Sequence, residues 1–168
     1  SLEQILRRNL GITRSVVVHN APPRWTPPEP PPDLLRERLH LPPEARIALY
    51  HGGFAPDRGL EQLADAVLEP GMEAVHAVFL GFGSEQKKLE RMAVDPRFGG
   101  RVHVVDAVPP TELLPWVASA DVAVMCIQPS TLNHRSSTPN KLFEALASGV
   151  PVVASDFDEM RAIVLGNP

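Results

Sequence analysis

Three polar side chains, Asn140, Lys141 and Glu144, sit close together in the run Ser136 to Ser155, S-S-T-P-N-K-L-F-E-A-L-A-S-G-V-P-V-V-A-S. The run reads as loop, helix and strand. Thr138 is placed to cap the helix and Pro139 to occupy its first position. Leu142, Ala145 and Leu146 form its apolar face, and Gly149 followed by Pro151 ends it. Asn140, Lys141 and Glu144 then lie off the apolar stripe, near a helix N-terminus whose unpaired N–H groups favour anions. A polar, anionic ligand suits that pattern. The two carboxylate oxygens of Glu144 could accept from two hydroxyls of a ribose, although a solvated helix glutamate is the commoner use of such a residue.

A second candidate is Gly52-Gly53, which follows the apolar run Ile47 to Tyr50 and precedes Arg58. Glycines there would let the backbone approach a phosphate, and the guanidinium offers a permanent charge in a planar fork; a tight turn with a solvated arginine is the plainer alternative. Gly81-Phe82-Gly83 repeats the strand-then-glycine pattern. It is not a dinucleotide fingerprint, because Gln86 stands where the third glycine would be.

Other chemistries lack their residues. The six histidines, His19, His40, His51, His76, His103 and His134, show no close ligand spacing, and one cysteine cannot complete a structural zinc site, so no metal and no cofactor are expected. Neither a G-x-S-x-G elbow nor a P-loop occurs. Asp156, Asp158 and Glu159 read as capping and surface residues.

The elements that must position these residues follow in order. Leu2, Ile5, Leu6 and Leu10 are roughly in helical phase before Gly11, and Val16 to Val18 read as a strand. Seven of the eleven residues from Pro22 to Pro32 are proline, which predicts an extended, packed linker rather than a helix or central strand. Asp33 to Leu39 gives a helical turn or two. From there strand and helix alternate. Ile47–Tyr50 leads to a helix over 59–68, Ala77–Leu80 to a helix through Lys88–Met92 with Ser84 as a possible cap, and Val102–Val105 to a Thr111-capped helix reaching Ser119. Val122–Ile127 leads to the helix of the first paragraph, and Val152–Ala154 to Asp158–Leu165. Continuously apolar strands alternating with helices predict an α/β fold with a doubly wound, Rossmann-like parallel sheet covered on both faces. Ligands of such sheets bind beyond the carboxyl ends of the strands, where Gly52-Gly53, Gly81, Asp106-Ala107 and the loop from Ser130 to Asn140 fall.

With 168 residues, 43% of them hydrophobic, the chain can bury a single core. A net charge of −4 and no basic run argue against a nucleic-acid partner. No apolar run is long enough to span a bilayer. Cys126, alone in an apolar run, reads as a buried reduced thiol, which suggests a reducing, cytoplasmic setting. The start at Ser1 and the end at Gly166-Asn167-Pro168 suggest a fragment of a longer protein.

Taken together, G-G-F-A-P-D-R-G-L from Gly52, L-G-F-G-S-E from Leu80, R-V-H-V-V-D-A-V from Arg101, A-D-V-A-V-M from Ala120 and P-N-K-L-F-E-A-L-A-S-G-V-P-V-V-A-S from Pro139 form one ordered set. From about Ile47 onward the set resembles the C-terminal, donor-binding domain of retaining glycosyltransferases of family 4, which pair two Rossmann-like domains in the GT-B fold. V-V-V-H-N-A from Val16 looks like the exit from the N-terminal domain. The resemblance implies three segments: 1–21 closing the preceding domain, 22–45 as linker and short helix, and 46–168 as the donor-binding domain. It also implies metal-independent transfer of a sugar from a UDP-, GDP- or ADP-linked donor with retention of configuration. Arg58 and Lys141 would act on the diphosphate and Glu144 on the ribose, while Gly52, Gly53, Gly81, Ala107, Val108, Ser136, Pro139 and Asn140 would line the donor site. The chain departs from the family at Gly53, often arginine, at Ser136, often a first glutamate, at Pro139, which has no N–H, and at Asp106, usually glycine. The absent N-terminal domain would carry acceptor recognition, so the isolated piece is expected to be inactive. Peripheral membrane association of the longer protein stays open. So do two other functions, a non-catalytic nucleotide-binding or assembly module and a GT-B sugar-nucleotide epimerase.

Overall fold

The computed structural model describes residues 2–16, 18 and 20–166, without the side chains of residues 2, 4 and 5. Five parallel strands form one sheet: β1 (Arg46–Gly53), β2 (Val75–Phe82), β3 (Val102–Asp106), β4 (Val122–Met125) and β5 (Val152–Ala154). Their spatial order is β3-β2-β1-β4-β5. The chain runs outward from β1 to β3, then returns to place β4 on the other side of β1. The crevice between β1 and β4 is therefore the switch point at which such sheets bind ligands.

Side-chain alternation along the strands divides the core in two. Ile47 and Leu49 of β1, with Val78 and Leu80 of β2, pack under α2 (Leu34–Leu39), α5 (Leu113–Ala118), α7 (Asn140–Ala147) and α8 (Asp158–Val164). Ala48, Tyr50 and Phe79 pack on the opposite face under α3 (Leu60–Ala66) and α4 (Gln86–Val94). This is the doubly wound, Rossmann-like α/β sheet that the alternation of apolar runs predicts. Helices on both faces bury the central strands β1, β2 and β4, while at the sheet edge Val153 of β5 is exposed. Leu142 and Ala145, both fully buried, fix α7 to the sheet, and truncating Leu142 to alanine would cost about 2–5 kcal/mol.

Several local expectations change. The strands β1 and β2 run on through His51-Gly52-Gly53 and Gly81-Phe82, pairing in register from Arg46 with Val75 to Gly53 with Phe82. Val16 and Val18 are exposed and, among the described residues, belong to no strand; Val17 and His19 lie outside the described residues. The helix α1 (Leu2–Leu10) forms, but Leu6 and Leu10 are exposed. Ser84 does not cap α4; its hydroxyl reaches the Phe54 carbonyl instead. Thr111 does not cap α5, which follows Glu112. The polar loop after β4 contains the short helix α6 (Leu132–Ser136), capped by Thr131 accepting from His134 N–H at 3.1 Å. Leu146 is exposed rather than core, and Cys126 is half-buried. The proline-rich segment forms neither helix nor strand and bends at Glu29-Pro30, and its Pro27 ring lies 3.7 Å from where a Cβ on Gly149, just beyond α7, would stand.

Candidate functional site

The carboxyl ends of β1 and β4 build the site through close backbone approaches. The Tyr50 hydroxyl donates to the Gly53 carbonyl at 2.8 Å, and Phe54 N–H donates to the Phe82 carbonyl at 2.7 Å, which holds the turn after β1 against β2. Gly81 lies so near Gly52 that any Cβ would overlap the Gly52 carbonyl. Beyond the turn, Gly59 (φ 75°) begins α3 directly against the Cys126 carbonyl, where again no side chain fits. Gln128 N–H donates to the Asp57 carbonyl at 2.8 Å. These contacts tie the loop carrying Arg58 to the end of β4, near enough for its charge to act on Lys141 and Tyr50.

Lys141 enters the same crevice from the first turn of α7. Its Nζ and Cε lie 3.7 Å from where a Gly52 Cβ would be, and Nζ stands 3.5 Å from the centre of the Tyr50 ring. That is cation–π geometry. Among the described residues the ammonium makes no ion pair. Burial, together with the positive charge of Arg58, pushes the Lys141 pKa down to about 7, with Glu144 pulling the other way. Burial raises the Tyr50 phenol to about 12, so it remains a donor to Gly53. A cation that lacks a counter-ion and lies beside a second cation is an arrangement completed by an anionic ligand.

One turn further along α7 stands Glu144. Its Oε2 lies 2.9 Å from His51 Nε2, and the imidazole is only 1% exposed while the carboxylate reaches solvent. Burial lowers the His51 pKa against the opposing hydrogen bond and charge of Glu144. The neutral ring therefore donates through Nε2. Glu144 is thus neither a solvated helix residue nor a carboxylate with both oxygens free: Oε2 already has a partner, and the carboxylate keeps partial access to solvent.

Of the residues singled out from sequence, Gly52, Gly53, Arg58, Gly81, Lys141 and Glu144 converge on this edge. Pro139 is the residue before α7 rather than its first, Thr138 does not cap, and the Pro139 carbonyl accepts from Leu142 N–H at 2.9 Å; Asn140 opens the helix and is exposed. Ser136 ends α6, which leans on α8. Ala107 and Val108 follow β3, on the far side of β2 from β1, and Val108 packs on the core. Sequence reasoning missed His51 and Tyr50. Ring and carboxylate are 93 residues apart in the chain, so no spacing could pair them. The available signal was a histidine on the buried alternation Ile47, Leu49, His51. Among the described residues no group of three or more His, Cys, Asp or Glu side chains could hold a metal ion, and no helix is long and apolar enough to cross a membrane.

The sheet order and the cationic crevice define a doubly wound, Rossmann-like domain with an anion-binding edge. Residues 45–167 match the family model for glycosyl transferases group 1, and the chain belongs to that family. It is 34% identical over 161 residues to a D-inositol 3-phosphate glycosyltransferase of Xylanimonas cellulosilytica, covering 88% of this chain and 37% of that protein. It is 30% identical over 123 residues to the putative teichuronic acid biosynthesis glycosyltransferase TuaC of Bacillus subtilis, covering 73% of this chain and 28% of that protein. The chain thus spans about a third of the length of these relatives. Among solved structures, the pneumococcal O-GlcNAc transferase GtfA in complex with UDP and GlcNAc matches 93% of this chain and 28% of its own, with a TM-score of 0.64 at 14% identity. Anabaena HepE in complex with UDP-glucose matches 74% of this chain and 33% of its own, with a TM-score of 0.54 at 22% identity.

Proposed function

We propose that the chain is the C-terminal, donor-binding domain of a retaining, metal-independent glycosyltransferase of family 4, with residues 46–168 forming that domain and 22–45 its linker. The observation that carries the reading is the convergence of Lys141, Arg58 and the His51-held Glu144 on the β1–β4 crevice. A nucleoside diphosphate offers the complement: an anion for the two cations and ribose hydroxyls for the carboxylate. UDP-, GDP- and ADP-linked sugars all meet that description. The complex of HepE with UDP-glucose supports this class of ligand.

In the proposed transfer the bond from the anomeric carbon to the diphosphate oxygen breaks. The acceptor oxygen takes its place on the same face of the sugar, and the acceptor's proton leaves to the diphosphate or to solvent. Negative charge grows on the diphosphate as that bond lengthens. Arg58 and Lys141, fixed by the loop before α3 and by α7, stabilise it without rearranging. Pro139 removes one N–H from the start of α7, so the Lys141 ammonium and the N–H groups of Asn140 and Lys141 take a larger share. Gly53 and Ser136 carry no charge, which favours a second reading, a nucleotide-binding module without catalysis or a sugar-nucleotide epimerase. Acceptor recognition belongs to a partner N-terminal domain, and this chain alone is inactive. We place the protein in the cytoplasm.

Titrating the chain with UDP, GDP and ADP while following backbone amide shifts tests the donor site. At least one should perturb Gly53, Arg58 and Glu144. Silence at all three with every nucleotide would remove the proposed site.

A further inference from the structure

Among the described residues three polar side chains are buried: His51, Ser119 and Ser148. The two serines serve the backbone. Ser119 Oγ accepts from Leu34 N–H and donates to the Pro115 carbonyl, both at 3.0 Å, and Ser148 Oγ donates to the Leu114 carbonyl at 3.2 Å. His51 differs: it is buried, yet its Nε2 hydrogen bond goes to a carboxylate that reaches solvent at the carboxyl end of β1. Its neighbours on the same face of β1, Ile47 and Leu49, show what packing alone selects there. An imidazole buried beside them costs desolvation that an aliphatic side chain would not. That cost points to a role for the Nε2–H.

We propose that His51 is a positioning residue: it holds Oε2 of Glu144 and so presents Oε1 to accept from one hydroxyl of the ribose of a bound nucleoside diphosphate. The inference rests on the donor-site reading above. A glutamate on a helix surface has several rotamers, and ordering it on binding has an entropic cost that a pre-formed hydrogen bond removes. The neutral ring can do this because it is a donor at Nε2 alone on that side; burial keeps it neutral, and the carboxylate as acceptor sets the tautomer. With Oε2 engaged, the carboxylate meets the sugar through one oxygen rather than clasping two hydroxyls with two free ones. Lys141, one turn before Glu144 on α7, and Arg58 take the diphosphate in this reading, and neither is bonded to the Glu144 carboxylate, so ribose recognition and phosphate recognition are separable by substitution.

The test uses that separation. Affinities of the chain for UDP, GDP and ADP, and for the 2′,3′-dideoxy form of whichever binds best, are measured by calorimetry at pH 7.5. The ribonucleotide should bind tenfold or more tightly than the dideoxy form. His51→Leu should bring the ratio to within about twofold of one while leaving dideoxy affinity unchanged, and His51→Gln, whose amide N–H can stand near Nε2, should restore most of it. Long-range ¹H–¹⁵N spectra should show His51 as the Nε2–H tautomer, with that preference weakened in Glu144→Gln. Glu144→Gln and the double variant should show the same collapsed ratio. A ratio unchanged in His51→Leu, or equal weakening of both nucleotides in His51→Leu and His51→Gln, overturns the positioning role while leaving the donor site intact. Wild-type protein that binds none of the three diphosphates overturns the donor-site reading and this inference with it.

Discussion

The two ends of β1 carry ions of opposite design. At the amino end Arg36 donates from Nε and NH2 to the Ala45 carbonyl at 3.0 and 2.8 Å, from NH1 to Asp33 at 2.8 Å, and from NH2 to Asp121. Asp121 also accepts from Ile47 N–H at 2.8 Å and from Arg46 at 3.0 Å. At the carboxyl end Lys141 leans on an aromatic ring, without an ion pair among the described residues, under the charge of a second cation. The satisfied cluster joins α2 to β1 and β4. The unsatisfied one waits at the switch point. Charges that stabilise a fold come with their partners, while charges that bind a ligand are left for the ligand to complete.

The sharpest break of this comparison is Asp121→Ala. It leaves Arg36 and Ile47 N–H short of an acceptor, and should lower unfolding free energy by about 2–4 kcal/mol in urea titrations. Burial would raise the Asp121 carboxyl, but the Ile47 N–H, Arg46 and Arg36 together hold it below its ordinary value of 3.8. A depressed carboxylate stabilises above its unfolded pKa and loses that contribution as pH falls through the lower, folded value. The gap between wild type and variant should therefore be constant near neutrality and shrink below about pH 4. A loss under about 1 kcal/mol at pH 7 would mean that the cluster is not structural.

Lys141→Met should do the reverse. Removing a desolvated, unpaired ammonium should leave unfolding free energy within about 1 kcal/mol of wild type or raise it, while affinity for the preferred nucleoside diphosphate falls tenfold or more. The slope with pH has the same sign as at Asp121 but falls in an alkaline window, and it records relief of a buried charge rather than gain of a paired one. Lysine's folded pKa of about 7 lies below its usual 10.5, so the unfolded chain binds the extra proton between those values. Stability attributable to Lys141 should then rise from about pH 7 toward pH 10, at up to ~1.4 kcal/mol per pH unit where the difference is complete. The methionine variant should lack this rise. Binding an anion restores the charge, so calorimetry at pH 7.5 in buffers of different ionisation heat should show proton uptake by wild type and none by Lys141→Met. Equal destabilisation by Asp121→Ala and Lys141→Met would erase the distinction between the two ends.

The contrast also explains what could be read before the structure. Ile47, Leu49, Val78 and Leu142 announce strands and a helix because burial imposes apolar periodicity on neighbours in sequence. Gly52, Arg58 and Lys141 were legible as candidates because the doubly wound topology sends every strand's carboxyl end to one edge. Caps were misread at Ser84, Thr111 and Thr138, since the hydroxyl that wins is decided by tertiary position, as Thr131 shows on α6. The partners were invisible for a different reason. His51 with Glu144, and Arg36 with Asp121, are joined by folding across long stretches of chain, and no local pattern records such a pair. Tyr50 closes the apolar run that predicts β1 and is buried, but the ring face that receives Lys141 appears only once α7 is docked.

The smallest expected effect lies at Gly53, where the carboxyl end keeps open space. A Cβ added there meets nothing within 4 Å, unlike Gly81, where it would overlap the neighbouring backbone. Gly53→Ala should therefore unfold within about 0.5 kcal/mol of wild type. Gly53→Arg would add a third cation beside Arg58 and Lys141, on the Glu144 face of β1 by the strand's alternation. In the free protein it should depress Lys141 further, and some of its attraction for a diphosphate is spent on reprotonating that lysine. The net gain should be only a few-fold in affinity, larger at pH 6.5 than at pH 8.5, and calorimetry at the two pH values reads it directly. Weaker binding at both, or a loss of stability beyond about 1 kcal/mol, would show that the space at Gly53 is needed for something other than a missing charge.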